Sequence, residues 1–246
     1  MTDPTGAVPD RLAAAIAPLE PMNDPSFGAG RDFSAESRTM LLMFAGMAPW
    51  PTVPGWVLFS HTTGLPVKRL FVRDVHSVWY QRGVPGFGER IEEVAAGLRT
   101  VIDAERVERL VVAGPSAGGY AALLLGSLLE ADVVMSFSPQ TVVSRAALHE
   151  LGDHRWDEAL ERLDRLGGSD PRYVDLRTAL PSIRTTGTRC EIHYGASFDL
   201  DVAHATRMEG IDGIDLRPHE HGGHLLVRAL RDSGDLLEIL RSALAV

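Results

Sequence analysis

The sequence predicts an α/β fold, a mainly parallel sheet with helices on both faces and a small helical insert. Three observations predict it. Short apolar runs, among them Met40 to Ala45, Leu110 to Ala113 and Val133 to Met135, end abruptly at Gly or Ser, as strands buried on both faces do. Between them lie segments with helical spacing, such as Ile91, Val94, Ala95, Leu98, Val101 and Ile102. Strand and helix then alternate along the chain, which implies right-handed crossovers and parallel strands.

Length and composition set bounds. A chain of 246 residues suits one domain of the larger kind, and 45% hydrophobic against 23% charged residues allows a substantial core. The net charge of −9, with no run of Lys or Arg, makes nucleic acid and anionic membranes poor partners, so a small molecule is the expected ligand. The single cysteine, Cys190, permits no internal disulfide, and a cytoplasmic location is the simplest expectation. The amino terminus lacks the basic and long apolar regions of a signal peptide, and the apolar stretch from Ala121 to Leu129 is too short to span a bilayer. No dinucleotide fingerprint or phosphate loop is present, so no cofactor is expected.

In chain order, residues 1–38 are rich in Pro, Gly, Ala and Asp and read as a partly ordered extension, with one amphipathic turn at Arg11 to Ile16. The domain proper is expected over 39–246. Met40 to Ala45 is its first strand, ending at Gly46, and a loop with three prolines runs from Met47 to Gly55. Trp56 to Phe59 reads as a short strand or helical turn. Arg69 to Arg73 is a second buried strand, closed by Asp74, and the loop after it carries Trp79 and Tyr80. A helix over about 88–103 leads to the strand Arg109 to Ala113. After the next helix comes the strand Asp132 to Ser138, closing in Pro139 and Gln140. Residues 141–187 hold no convincing strand and read as a helical insert or cap, or as plain crossover helices. The strand Cys190 to Gly195, a helix from Val202 to Met208, a last strand at Ile214 to Arg217 and two helical stretches, Leu225 to Arg231 and Leu236 to Ala245, complete the chain.

The chemistry centres on Gly114-Pro115-Ser116-Ala117-Gly118. An apolar strand before it and an alanine- and leucine-rich helix after it give the strand, sharp turn and helix of a nucleophile elbow. Such a turn lifts Ser116 clear of the sheet and turns the Ala117 amide, at a helix N-terminus, toward an oxyanion. A serine nucleophile needs a base, and the base an orienting carboxylate. Asp199 and Asp201 stand past the penultimate strand, and His219, His221 and His224 past the last. His224 is favoured because Gly222 and Gly223 let its loop turn back and a helix follows to anchor it. The histidine triplet also permits a metal reading, which the elbow makes unnecessary by accounting for the last histidine. His61, His76, His149, His154, His193 and His204 read as surface or packing residues, and Trp50, Trp56, Trp79 and Tyr80 either line a pocket or pack.

Taken together, Gly-Pro-Ser-Ala-Gly-Gly-Tyr-Ala-Ala-Leu after a strand, Phe137-Ser138-Pro139-Gln140, Tyr194-Gly195 followed by Asp201 to Ala205, and Gly223-His224 resemble the α/β-hydrolase superfamily over residues 39–246. The resemblance implies the α/β-hydrolase fold, with Ser116 as nucleophile, Asp201 as acid and His224 as base, Asp199 and His221 standing as alternates. It also implies an oxyanion hole from the amide of Ala117 and one of Gly46 or Met47. The loop after Gly46 lacks the His-Gly or triple-glycine sequence of many lipases and esterases, and Gly222-Gly223-His224 is locally similar to type II thioesterases. The activity implied is hydrolysis of an ester or thioester of a small acyl substrate, free or carrier-bound. Acyl transfer in a biosynthetic pathway and a non-catalytic ligand-binding role are the alternatives.

Overall fold

The computed structural model describes residues 10–18, 28–47, 58, 60–183 and 187–246. Its strands are β1 (Ile16–Pro18), β2 (Ala29–Asp32), β3 (Thr39–Phe44), β4 (Lys68–Val72), β5 (Arg109–Pro115), β6 (Val133–Phe137), β7 (Arg189–Gly195) and β8 (Ile214–His219). They form one eight-stranded sheet in the order β1-β2-β4-β3-β5-β6-β7-β8, parallel except where β2 meets β4.

The unbroken apolar runs are explained by the period of two along a strand. Met40, Leu42 and Phe44 of β3 face one core, while Leu41 and Met43 face the other. Leu110 and Val112 of β5 divide from Val111 and Ala113 in the same way. The helices α2 (Ile91–Ala104) and α3 (Ala117–Leu128) close the first core. Nearly every residue of α3 is buried, as a helix that is apolar all round must be. The second core is closed by two helices near the carboxyl end of the chain, α8 (Leu226–Ser233) and α9 (Asp235–Leu244). There Leu230, Leu236, Leu240 and Leu244 are buried, each contributing about 2 kcal/mol.

Two expectations are corrected at the ends of the sheet. The sheet starts before residue 39: the helix α1 (Asp10–Ala15) leads into β1, and β2 pairs with β4, so the extension supplies two strands. The Ala-Gly-Arg-Asp sequence of β2 has little strand propensity of its own. Its place is held by pairing and by a salt bridge of 2.5 Å from Arg69 to Asp32. Near the other end, the helix expected from Val202 begins earlier, as α7 (Asp199–Thr206). Between β6 and β7 lie α4 (Arg145–Glu150), α5 (Asp157–Arg165) and α6 (Leu176–Ile183), in keeping with the helical reading of 141–187. The expectations for Trp50 and for the segment Trp56 to Phe59 lie outside the described residues, apart from Leu58.

The chain leaves β3 outward to β4 and returns on the far side of β3 to β5. The crevice at the carboxyl ends of β3 and β5 is therefore the topological switch point, where ligands of open α/β sheets bind.

Candidate active site

Ser116 stands at this switch point with φ 54° and ψ −121°, a strained backbone for a residue with a side chain. The strain is enforced by packing. A Cβ on Gly114 would lie 2.2 Å from the Gly118 carbonyl oxygen, and one on Gly118 would lie 2.3 Å from that of Phe44. The second clash is with β3, so glycine at 118 answers to the neighbouring strand as well as to the turn. A hydrogen bond of 2.8 Å from the Ser116 amide to the Phe137 carbonyl fixes the turn against β6. Ala117 opens α3, where its N–H has no acceptor within the helix. Gly46 touches the elbow: a Cβ on it would lie 3.0 Å from the Pro115 carbonyl oxygen and 3.6 Å from Ser116 Cβ. Met47, next along, is half-buried against the first core.

His224 comes to the serine from a turn at the end of the sheet. Gly222 and Gly223 hold positive φ of 103° and 48°, and the chain enters a short 3-10 turn, Gly223–Leu225, before α8. His224 Nε2 lies 3.1 Å from Ser116 Oγ, and its Nδ1 lies 2.8 Å from Asp201 Oδ1. A carboxylate only accepts, so Nδ1 carries the proton and Nε2 is free to accept one from the serine. Asp201, on the first turn of α7, is 1% exposed, and its Oδ2 is the one buried side-chain polar atom without a hydrogen-bond partner among the described residues.

The alternates stand apart. Asp199 and His221 are exposed. His219 stacks on His193 and shares a contact of 3.0 Å with its Nδ1; burial and that neighbour push the His219 imidazole down from its ordinary pKa. The triplet of His219, His221 and His224 does not gather as metal ligands. Among the described residues the histidine and acid group close enough to do so is His149, His154 and Asp157 on the insert, where Arg145 already holds the Asp157 carboxylate.

Other side chains complete the site: Trp79 and Tyr80, which the sequence offers as pocket-lining or packing residues, and Gln140, to which it assigns no role. Gln140, fully buried just past β6, has both amide atoms 3.2 Å from Ser116 Oγ, and its Oε1 accepts from Trp79 Nε1 at 3.2 Å. Trp79 and Tyr80 are buried with positive φ of 57° and 61°, held by a loop in which Asp74 accepts the amides of His76, Val78 and Tyr80. Burial pushes the Asp74 carboxyl up despite those bonds. The Tyr80 hydroxyl reaches the carbonyls of Ala45 at 2.9 Å and Val72 at 3.0 Å, tying down the peptide before Gly46. Above the imidazole, Trp156 of the insert and Phe198 flank His224 with ring centroids at 6.1 and 6.2 Å, and Arg155 lies over both rings.

The insert is pinned from below. Asp153, 1% exposed, accepts from Arg155, from Trp156 Nε1 at 3.1 Å and from His204 Nε2 at 3.2 Å. Nδ1 of His204 accepts the Thr141 amide at 3.1 Å, so this imidazole is neutral and carries its proton on Nε2. His204 thus packs as expected, but as a wholly buried polar link between the insert and the helix that bears Asp201.

Sheet order, crossovers and elbow define a protein of the α/β-hydrolase fold, with a serine, a histidine and an aspartate in hydrogen-bonded series at the switch point. Solved structures of that fold are similar over most of the chain. An inhibited esterase B from Lactobacillus rhamnosis has a TM-score of 0.59 at 15% identity, covering 86% of this chain and 78% of its own. MenH from S. aureus has 0.55 at 13%, covering 88% and 98%, and the carboxylesterase CesB from Bacillus subtilis 0.55 at 15%, covering 87% and 85%. No protein-family model matches the chain, and no curated protein matches it in sequence. Among the described residues no helix is long and apolar enough to cross a membrane.

Proposed function

We propose that the chain is a serine hydrolase that cleaves an ester or thioester of a small molecule through an acyl-serine intermediate. The observation that carries this reading is the unbroken series from Ser116 Oγ to His224 Nε2 and from His224 Nδ1 to Asp201, at 3.1 and 2.8 Å. His224 takes the hydroxyl proton as Oγ bonds to the substrate carbonyl carbon, and the carbonyl π pair moves to oxygen. Asp201 orients the imidazole and stabilises its positive charge. The oxyanion is held by the Ala117 amide and by that of Gly46 or Met47. Collapse expels the alcohol or thiol with the proton from His224, and water, activated by the same imidazole, releases the acid. The rings of Trp156 and Phe198 beside His224 favour an apolar acyl group.

The test is a panel of p-nitrophenyl esters and acyl thioesters of increasing chain length. The expected result is turnover of at least one, lost in Ser116→Ala. Turnover that survives in Ser116→Ala would overturn the reading.

A further inference from the structure

Gln140 is a neutral amide with no exposed surface, placed beside a nucleophile. A buried amide must spend its donors and acceptor on partners, and the partners here fix which way it points. The indole N–H of Trp79 can only donate, so the atom it meets at 3.2 Å must be the Gln140 oxygen. Both amide atoms lie 3.2 Å from Ser116 Oγ: the oxygen, shared with Trp79, can accept the serine proton at rest, and the nitrogen can only donate to Oγ. Trp79 is itself held rigid. Its backbone sits at φ 57° in the turn gripped by Asp74, it has no exposed surface, and its ring meets Trp156 edge-on at 5.9 Å.

Topology separates this donor from the oxyanion side. Gln140 follows β6 and Gly46 follows β3, on opposite flanks of β5, which carries Ser116. The Gln140 N–H therefore acts on the serine oxygen rather than on the carbonyl oxygen of a bound substrate.

We propose that Gln140 is a further catalytic residue of this site, its side-chain N–H donating to Ser116 Oγ and stabilising the charge that oxygen carries as its proton leaves. The proposal rests on the serine-hydrolase reading above. In acylation the Oγ–H bond breaks toward His224 Nε2 while Oγ forms its bond to carbon, and the N–H of Gln140 meets the negative charge growing on Oγ. In deacylation the bond from carbon to Oγ breaks, the electron pair returns to Oγ, and the same N–H stabilises it until His224 returns the proton. Trp79 is the positioning residue: its indole N–H engages Oε1 and so fixes which of the two amide atoms beside Ser116 Oγ is the donor.

The test compares Gln140→Glu and Gln140→Leu with wild type by the rate constant for modification of Ser116 with a fluorophosphonate, and by kcat and KM on any ester the wild type turns over. Gln140→Glu keeps the size and the bond from Trp79 but replaces the N–H donor with a second, negatively charged acceptor. Circular dichroism establishes that each variant is folded. The expected result at neutral pH is a fall of about tenfold or more in the modification rate and in kcat for Gln140→Leu, with KM changed little. Gln140→Glu falls further and regains rate as its carboxyl is protonated. Trp79→Phe falls less, and combined with Gln140→Leu adds nothing, because it acts through the amide. Folded Gln140→Leu and Gln140→Glu proteins modified at the wild-type rate would overturn the proposal. Failure of the wild type itself to be modified at Ser116 would instead count against the serine-hydrolase reading, so the two failures are distinguishable.

Discussion

Gly195 and Gly223 meet backbone to backbone: a Cβ on Gly195 would lie 2.7 Å from Gly223 Cα and 2.8 Å from its nitrogen and oxygen. The turn that delivers His224 to Ser116 is thus seated on the last residue of β7, and the imidazole's position depends on the absence of one methyl group. Gly195→Ala is expected to push the turn outward and cost about 1–3 kcal/mol of stability by overpacking. Modification of Ser116 by a fluorophosphonate should slow at least tenfold, since a shift of about 1 Å breaks near-attack geometry. A variant with unchanged rate would show that the turn is positioned by other contacts.

Strain at Ser116 can be measured by comparing two variants that both lack the hydroxyl. Glycine tolerates φ 54° and ψ −121°, and alanine does not. Ser116→Gly should therefore be more stable than Ser116→Ala by about 1 kcal/mol, the strain offset in part by the greater freedom of glycine in the unfolded chain. Chemical denaturation reads the difference, and equal midpoints would mean the elbow is unstrained.

Tyr80→Phe removes the hydroxyl that bonds the carbonyls of Ala45 and Val72. The expected loss is about 1 kcal/mol of stability. A several-fold fall in kcat at nearly constant KM should accompany it, because the peptide between Ala45 and Gly46 is loosened beside Ser116. A change confined to KM would place Tyr80 in substrate binding instead.

Low pH should act on the link beneath the insert. Burial pushes the Asp153 carboxyl up, but the hydrogen bonds of Arg155 and His204 outweigh it and hold the group well below the usual carboxylate range. A depressed carboxylate contributes stability that is whole above its unfolded pKa of about 3.9 and is lost as pH falls below it. Asp32, held at about 2 by Ser34 and Arg69, adds a term of the same sign at the edge of the sheet. Asp153→Asn is expected to cost about 2 kcal/mol or more near neutrality, where the buried network is broken. It should also flatten the slope of stability against pH between about 4 and 2. An unchanged slope in urea titrations would remove Asp153 from the account.

Much of this architecture is legible in the sequence, and the parts that are not have a common cause. The strands β3, β5 and β6 carry continuous apolar stretches because both of their faces are buried, and the elbow is visible because its glycines answer to steric demands within a few residues of Ser116. The order of serine, aspartate and histidine along the chain narrows the candidates to Ser116, Asp199 or Asp201, and His219, His221 or His224; the glycine turn favours His224, and the resemblance implies Asp201. Separating Asp201 from Asp199, two residues away, depends on which carboxylate the first turn of α7 aims inward, and the loop alone does not encode that. Gln140, Trp79 and Asp153 join the site through contacts that span 24, 61 and 51 residues. The available signal for Gln140 was a polar amide directly after a buried strand. Strand β2 is not legible in the sequence because Ala29–Asp32 has no strand pattern and is held by its neighbours.

The measurement that bears most directly on the central claim is incubation of the folded protein with a fluorophosphonate, followed by intact mass and peptide mapping, for wild type, Ser116→Ala and His224→Ala. The account predicts a single adduct, on Ser116, in the wild type, none in Ser116→Ala and little or none in His224→Ala. Folded wild-type protein that carries no adduct, or an adduct at full rate in His224→Ala, would contradict it, because Ser116 would then lack the base that the 3.1 Å contact with His224 provides.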